Sequence, residues 1–123
     1  SDTKIDPTNY IDADLPSADA YITFVRDLQS VIDANVDGIA GPETLSKTPT
    51  ISTSTGWNHA AVRPLQVYLQ SLGYDLGKCG VDGQFGKDMK VCIKKYQTDN
   101  GLPIVDGKIS AKMYTWKKLL KLD

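Results

Sequence analysis

Histidine occurs once in these 123 residues, cysteine and methionine twice each, and no apolar run approaches the length of a membrane span. The single histidine, His59, has no carboxylate or cysteine nearby at metal-ligand spacing. A zinc site needs three or four ligands, so the chain falls short of one. Serines are scattered through caps and polar connectors without a strand-to-helix nucleophile turn, and a histidine-assisted triad would have to use that same His59. Neither metal nor serine catalysis is expected, and no cofactor. Two cysteines are too few for a disulfide framework. They leave two options open: a bridge between Cys79 and Cys92, or a free Cys92 acting as a small core residue on an apolar helix face. The first residues also lack the basic-then-apolar order of a secretory signal. The expectation is therefore a fragment, or a protein whose export does not use this N-terminus.

What is present is the composition of a soluble globular protein, 41% hydrophobic and 24% charged, with room for one ordinary domain or two very small ones. Charge is spread unevenly: the first 58 residues are acidic, and residues 87–123 carry an excess of lysine. Such asymmetry can steer a protein toward an anionic polymer. Lys90, Lys94, Lys95, Lys117 and Lys118 also fall on the polar sides of expected helices, where the simpler reading is a solvated face. Neither nucleic acid nor membrane is expected as a partner.

The chain is organised around Val81-Asp82-Gly83-Gln84-Phe85-Gly86-Lys87, and the same grammar returns in Val36-Asp37-Gly38-Ile39-Ala40-Gly41 and Val105-Asp106-Gly107-Lys108-Ile109-Ser110. Asp accepts backbone N–H groups and Gly tolerates positive φ, so each Asp-Gly pair turns the chain sharply before a small residue opens the next helix. Asp37, Gly38, Asp82, Gly83, Asp106 and Gly107 are accordingly read as structural joints. The three aspartates are also the obvious carboxylates for sugar hydrolysis, but they share one turn context. A catalytic pair needs two different environments that push the two pKa values apart.

Taken in order, residues 1–16 are expected to be a linker or the edge of a neighbouring upstream domain. Tyr21, Phe24, Val25, Leu28, Val31 and Ile32 follow helical spacing from Ser17 to about Ala34, with Asp14 or Ser17 as the cap. A short helix opens at Gly41-Pro42, where a proline loses nothing by lacking its N–H. Residues 17–49 make a helical half-repeat, 50–57 a polar linker containing Trp57, and 58–123 a complete repeat. In that repeat Val62, Leu65, Leu69 and Leu72 mark one helix, and Met89, Cys92, Ile93 and Tyr96 a second that begins at Gly86 or Lys87. A last helix is expected to be capped by Ser110 and to carry Met113, Trp116 and Leu120 inward.

The residues around the central joint carry a specific resemblance. Val62, Leu65-Gln66, Leu69, Leu72-Gly73-Tyr74 and Gly77 precede it, and Tyr96-Gln97, Gly101-Leu102 and Asp106-Gly107 follow. From roughly Ala60 to Leu120 the chain resembles the small three-helix (type 1) peptidoglycan-binding domain found at the ends of bacterial and phage cell-wall hydrolases. Met89, Ser110 and Met113 depart from it, standing where the family usually has Thr, Gly and Thr. The resemblance implies an all-α fold of orthogonally packed short helices. It implies noncatalytic binding of peptidoglycan, by its glycan strand or stem peptide, and attachment of a parent amidase or lysozyme-like endolysin whose catalytic domain lies upstream. The place of action would be the bacterial cell wall on its extracellular side, or the host cytoplasm before phage-induced release. Two rival readings are a protein-interaction module and a small hydrolase.

A wall ligand needs a shallow groove with an aromatic face and a few amide or hydroxyl groups. Tyr74, Gln84, Phe85, Lys87 and Gln97 are the candidates, with Tyr74, Gln84 and Lys87 expected to gather beside the start of the helix after the central joint. Phe85 as a core residue and Gln97 bonded to a loop carbonyl are equally open readings. Trp57 more simply pins the linker than binds sugar.

Overall fold

A computed structural model describes residues 14–123 of the chain, with side chains from Asp19 onward. Five helices appear among the described residues: α1 Asp14–Val31, α2 Pro42–Ser46, α3 Val62–Ser71, α4 Lys87–Asp99 and α5 Tyr114–Leu119. The fold is all-α, as expected, and among the described residues the β pairing is one isolated antiparallel bridge between Ile51 and Ile109. Helix α1 starts before Ser17; the capping expectation for Asp14 and Ser17 concerns side chains outside the described set.

The apolar stripe of α1 does what its spacing requires. Phe24, Val25 and Leu28 are buried, and α1 lies against α3. Phe24 stacks face to face on Tyr68 with ring centroids 4.6 Å apart, and the Tyr21 hydroxyl donates to the Leu120 carbonyl at 2.7 Å. One core gathers Phe24 and Leu28 from α1, Leu65 and Leu69 from α3, Met89 and Ile93 from α4, and Trp116 and Leu119 from α5. Helix α1 and the helices α3 to α5 are thus packed on each other through shared apolar burial. Each such side chain contributes about 1.5–3 kcal/mol relative to exposure.

Within the polar stretch 50–57, one residue, Ile51, reaches that core. Ile51 is fully buried, and Ile51 and Ile109 exchange backbone hydrogen bonds of 2.9 Å in both directions. The indole N–H of Trp116 donates to the Pro49 carbonyl at 2.7 Å, closing the same seam. Burying Ile51 takes its polar backbone out of water, and pairing with Ile109 satisfies it.

The start of α5 also differs from expectation. Met113, not Ser110, is the N-cap, and Met113 is 46% exposed rather than inward. Lys112 has a positive φ of 64°, its N–H donates to the Thr48 hydroxyl at 2.9 Å, and the Ala111 N–H donates to Thr50 Oγ1 at 3.1 Å. These contacts with the 48–50 segment hold residues 110–112 out of the helix, an interaction that no local pattern encodes. Trp116 and Leu120 do point inward.

Candidate functional site

Each Asp-Gly joint is locked by one buried glutamine from the helix before it. At the central joint the Gln66 Oε1 accepts the Asp82 N–H at 3.1 Å and the Gly83 N–H at 2.8 Å. Its Nε2 donates to Asp82 Oδ1 at 2.9 Å and to the Gln84 carbonyl at 3.1 Å. Asp82 Oδ1 also accepts the Gln84 N–H at 3.0 Å, completing the turn. Gln29 repeats the arrangement with Asp37, Gly38 and Ile39, and Gln97 with Asp106, Gly107 and Lys108. The flanking joints add a hydroxyl acceptor: Gln29 Nε2 also donates to Thr44 Oγ1, and Gln97 Nε2 to Thr115 Oγ1. The glutamines are at most 2% exposed, so a side-chain amide replaces water for backbone groups that the turn leaves unpaired.

The joint glycines have φ of 74° at Gly38, 76° at Gly83 and 73° at Gly107, the left-handed conformation expected of them. The Asp82 carboxyl is held below the ordinary aspartate range first by the Gln66 amide and then by the Gln84 N–H. The Asp37 carboxyl is lowered by the Ile39 N–H and then by Gln29. Both are therefore ionised acceptors fixed in a turn, an environment opposite to the raised pKa that a proton-donating acid requires.

The candidate binding residues divide into three groups. Gln97 and Phe85 are 1% and 2% exposed and serve the fold; Gln97 spends its amide on the third joint, and Phe85 sits in the core with its N–H donated to the Trp57 carbonyl. Neither is an exposed contact surface; Phe85 also lines the groove at the head of α4, and Gln97 a small one beside the third joint. Gln84 and Lys87 come together as expected, in a groove of about 430 Å³ at the head of α4 that is also lined by Thr53, Trp57 and Lys90. Tyr74 does not join them. It lines a second groove, of about 480 Å³, with Tyr68 and Tyr96, and its hydroxyl donates to Asp99 at 2.9 Å. Burial, and then the Asp99 carboxylate, push the Tyr74 phenol up to about 12.

Trp57, which the sequence reading assigned to pinning the linker, also lines the first groove. Its carbonyl pins the connector through the Phe85 N–H at 2.6 Å while its side chain stays 44% exposed, so the residue both anchors and lines. The α4 N-terminus closes the groove with Gly86, an N-cap in extended conformation that has no side chain to occupy the first-turn N–H groups. Cys79 and Cys92 are both free thiols, one exposed and one buried, and burial pushes the Cys92 thiol up to about 11.

Residues 58–119, half of the chain, match the family described as "Putative peptidoglycan binding domain". The chain is 40% identical over 55 residues to the type VI secretion system spike protein VgrG3 of Vibrio cholerae serotype O1, covering 45% of this chain and 5% of that protein. It is 37% identical over 86 residues to the uncharacterized protein FadG of Bacillus subtilis, covering 68% of this chain and 14% of that protein. The chain therefore spans a small fraction of the length of these curated relatives. No solved structure matches it. The matched segment holds α3, α4, α5 and two of the three glutamine-locked joints, and by that match the chain belongs to the peptidoglycan-binding domain family, a noncatalytic binding family.

Proposed function

We propose that this chain attaches a cell-wall hydrolase to its polymer, the parent being an endolysin of amidase or lysozyme type with its catalytic domain upstream. Family membership makes peptidoglycan the partner; the parent enzyme, and action on the extracellular side of the wall after release from a phage-infected host cytoplasm, belong to the proposal. We place the seat in the groove at the head of α4. The observation that carries this placement is the meeting, in one open groove, of Trp57, Gln84, Lys87 and Lys90. An aromatic face suits a sugar ring, an amide suits an acetamido group, and two cations beside a helix N-terminus suit the carboxylate of a lactyl group or stem peptide.

Sedimentation with insoluble purified peptidoglycan, scored beside release of soluble fragments, tests the assignment. Trp57→Ala and Lys87→Ala should each weaken wall binding by about tenfold while the melting curve stays in place, since an aromatic or cationic contact at the centre of a site is worth about 1–2 kcal/mol. Unchanged sedimentation of both variants places the site elsewhere. Fragment release by this chain alone would make it an enzyme.

A further inference from the structure

The second groove, between the C-terminal ends of α3 and α4 and the tail after α5, has a chemistry of its own. Tyr68, Tyr74 and Tyr96 line it together with Lys118, Lys121 and Asp123. Tyr68 and Tyr96 are only 4% and 5% exposed, yet among the described residues neither phenol has a hydrogen-bond partner, whereas the neighbouring Tyr74 hydroxyl is held by Asp99. Buried tyrosine hydroxyls ordinarily find partners, so two that line one groove without one among the described residues suit a ligand with hydroxyl or amide groups. Burial raises both phenols, which therefore stay protonated and able to donate at neutral pH. Lys118 donates to Asp123 at 3.0 Å, so that pair is internally compensated. The Lys121 ammonium, 4.6 Å from the centre of the Tyr21 ring, adds a net positive charge.

We infer that this tyrosine-lined groove is a second ligand site, separate from the one at the head of α4, and that it takes an acidic sugar, with phenols on the ring hydroxyls and Lys121 on a carboxylate. The inference leans on the wall-binding reading only for the choice of probe. Backbone amide shifts are followed by NMR while N-acetylmuramic acid, which carries a carboxylate, or the neutral N-acetylglucosamine is added to the whole chain. The acidic sugar should move the amides of Leu72, Tyr74, Tyr96 and Asn100, and the neutral one should bind more weakly. Tyr96→Phe, which keeps the ring, and Lys121→Gln, at an exposed position, should each raise the dissociation constant about fivefold, the effect of one hydrogen bond or exposed charge contact. Shifts confined to the head of α4, equal response to both sugars, or unchanged affinity in both variants would overturn the inference. Wall sedimentation of the unaltered chain, run in parallel, reports separately on wall attachment.

Discussion

Gln66 holds Asp82 from two sides, donating from Nε2 to the carboxylate at 2.9 Å and accepting the Asp82 N–H on Oε1 at 3.1 Å. The same side chain takes the Gly83 N–H, so one buried amide closes the whole central turn. Gln66→Ala should cost about 2–4 kcal/mol, because it strands several backbone and carboxylate groups in addition to opening a cavity. Gln84→Ala, whose side chain is exposed, should cost within about 0.5 kcal/mol. Urea unfolding of the two variants checks this; similar midpoints would mean that the glutamine lock is dispensable.

The joint glycines separate backbone strain from collision. At Gly83 an added Cβ meets nothing within 4 Å, so Gly83→Ala should cost only the left-handed strain, about 1–2 kcal/mol. At Gly107 the new Cβ would lie 2.7 Å from Lys90 Cγ, and Gly107→Ala should cost more. Thermal melts that rank the two in the opposite order would refute the geometry described for the third joint.

Acid should weaken the fold through the joints. The lowered carboxyls of Asp37 and Asp82 contribute stability that is fully present above the ordinary aspartate pKa and is lost as pH falls through their folded values. The midpoint of unfolding is expected to stay level from neutrality down to about pH 5 and to fall below about pH 4. Asp82→Asn should flatten part of that fall. An acid limb unaffected by that change would assign the sensitivity to other carboxylates, such as Asp99 with its Tyr74 and Lys95 partners.

Phe24 tests whether the first helix and the family-matched unit unfold together. It is 2% exposed and stacked on Tyr68 of α3, so Phe24→Ala should cost about 3–5 kcal/mol and shift a single transition. Two resolved transitions, with only the lower one moved, would show that the segments are independent.

Periodicity and turn chemistry made much of this molecule legible in advance. The stripe Phe24, Val25, Leu28 and the stripe Met89, Cys92, Ile93, Tyr96 are buried as their spacing requires, because a helix exposes or hides a face as a unit. The Asp-Gly joints were readable for a similarly local reason, since positive φ is almost free only for glycine. A glutamine also precedes every joint, Gln29, Gln66 and Gln97, each after an apolar or aromatic residue, and that recurrence was visible without coordinates. Its meaning was not, because the separation from Gln66 to Asp82 is twice that from Gln29 to Asp37, and only the folded loop makes the two locks equivalent.

The sequence by itself determined the helices, the joints and the family, all of which rest on residues close together along the chain. Tertiary structure alone decided that Ile51 enters the core, that Ser110 yields the cap to Met113, and that Tyr74 parts from Gln84 and Lys87. These outcomes depend on partners far apart in sequence: Ile51 with Ile109, Thr48 with Lys112, and Trp57 with Phe85. A polar connector has no periodicity to announce that its backbone will be paired, and a tyrosine's side is set by the ring it meets, here Tyr96, once the helices have packed.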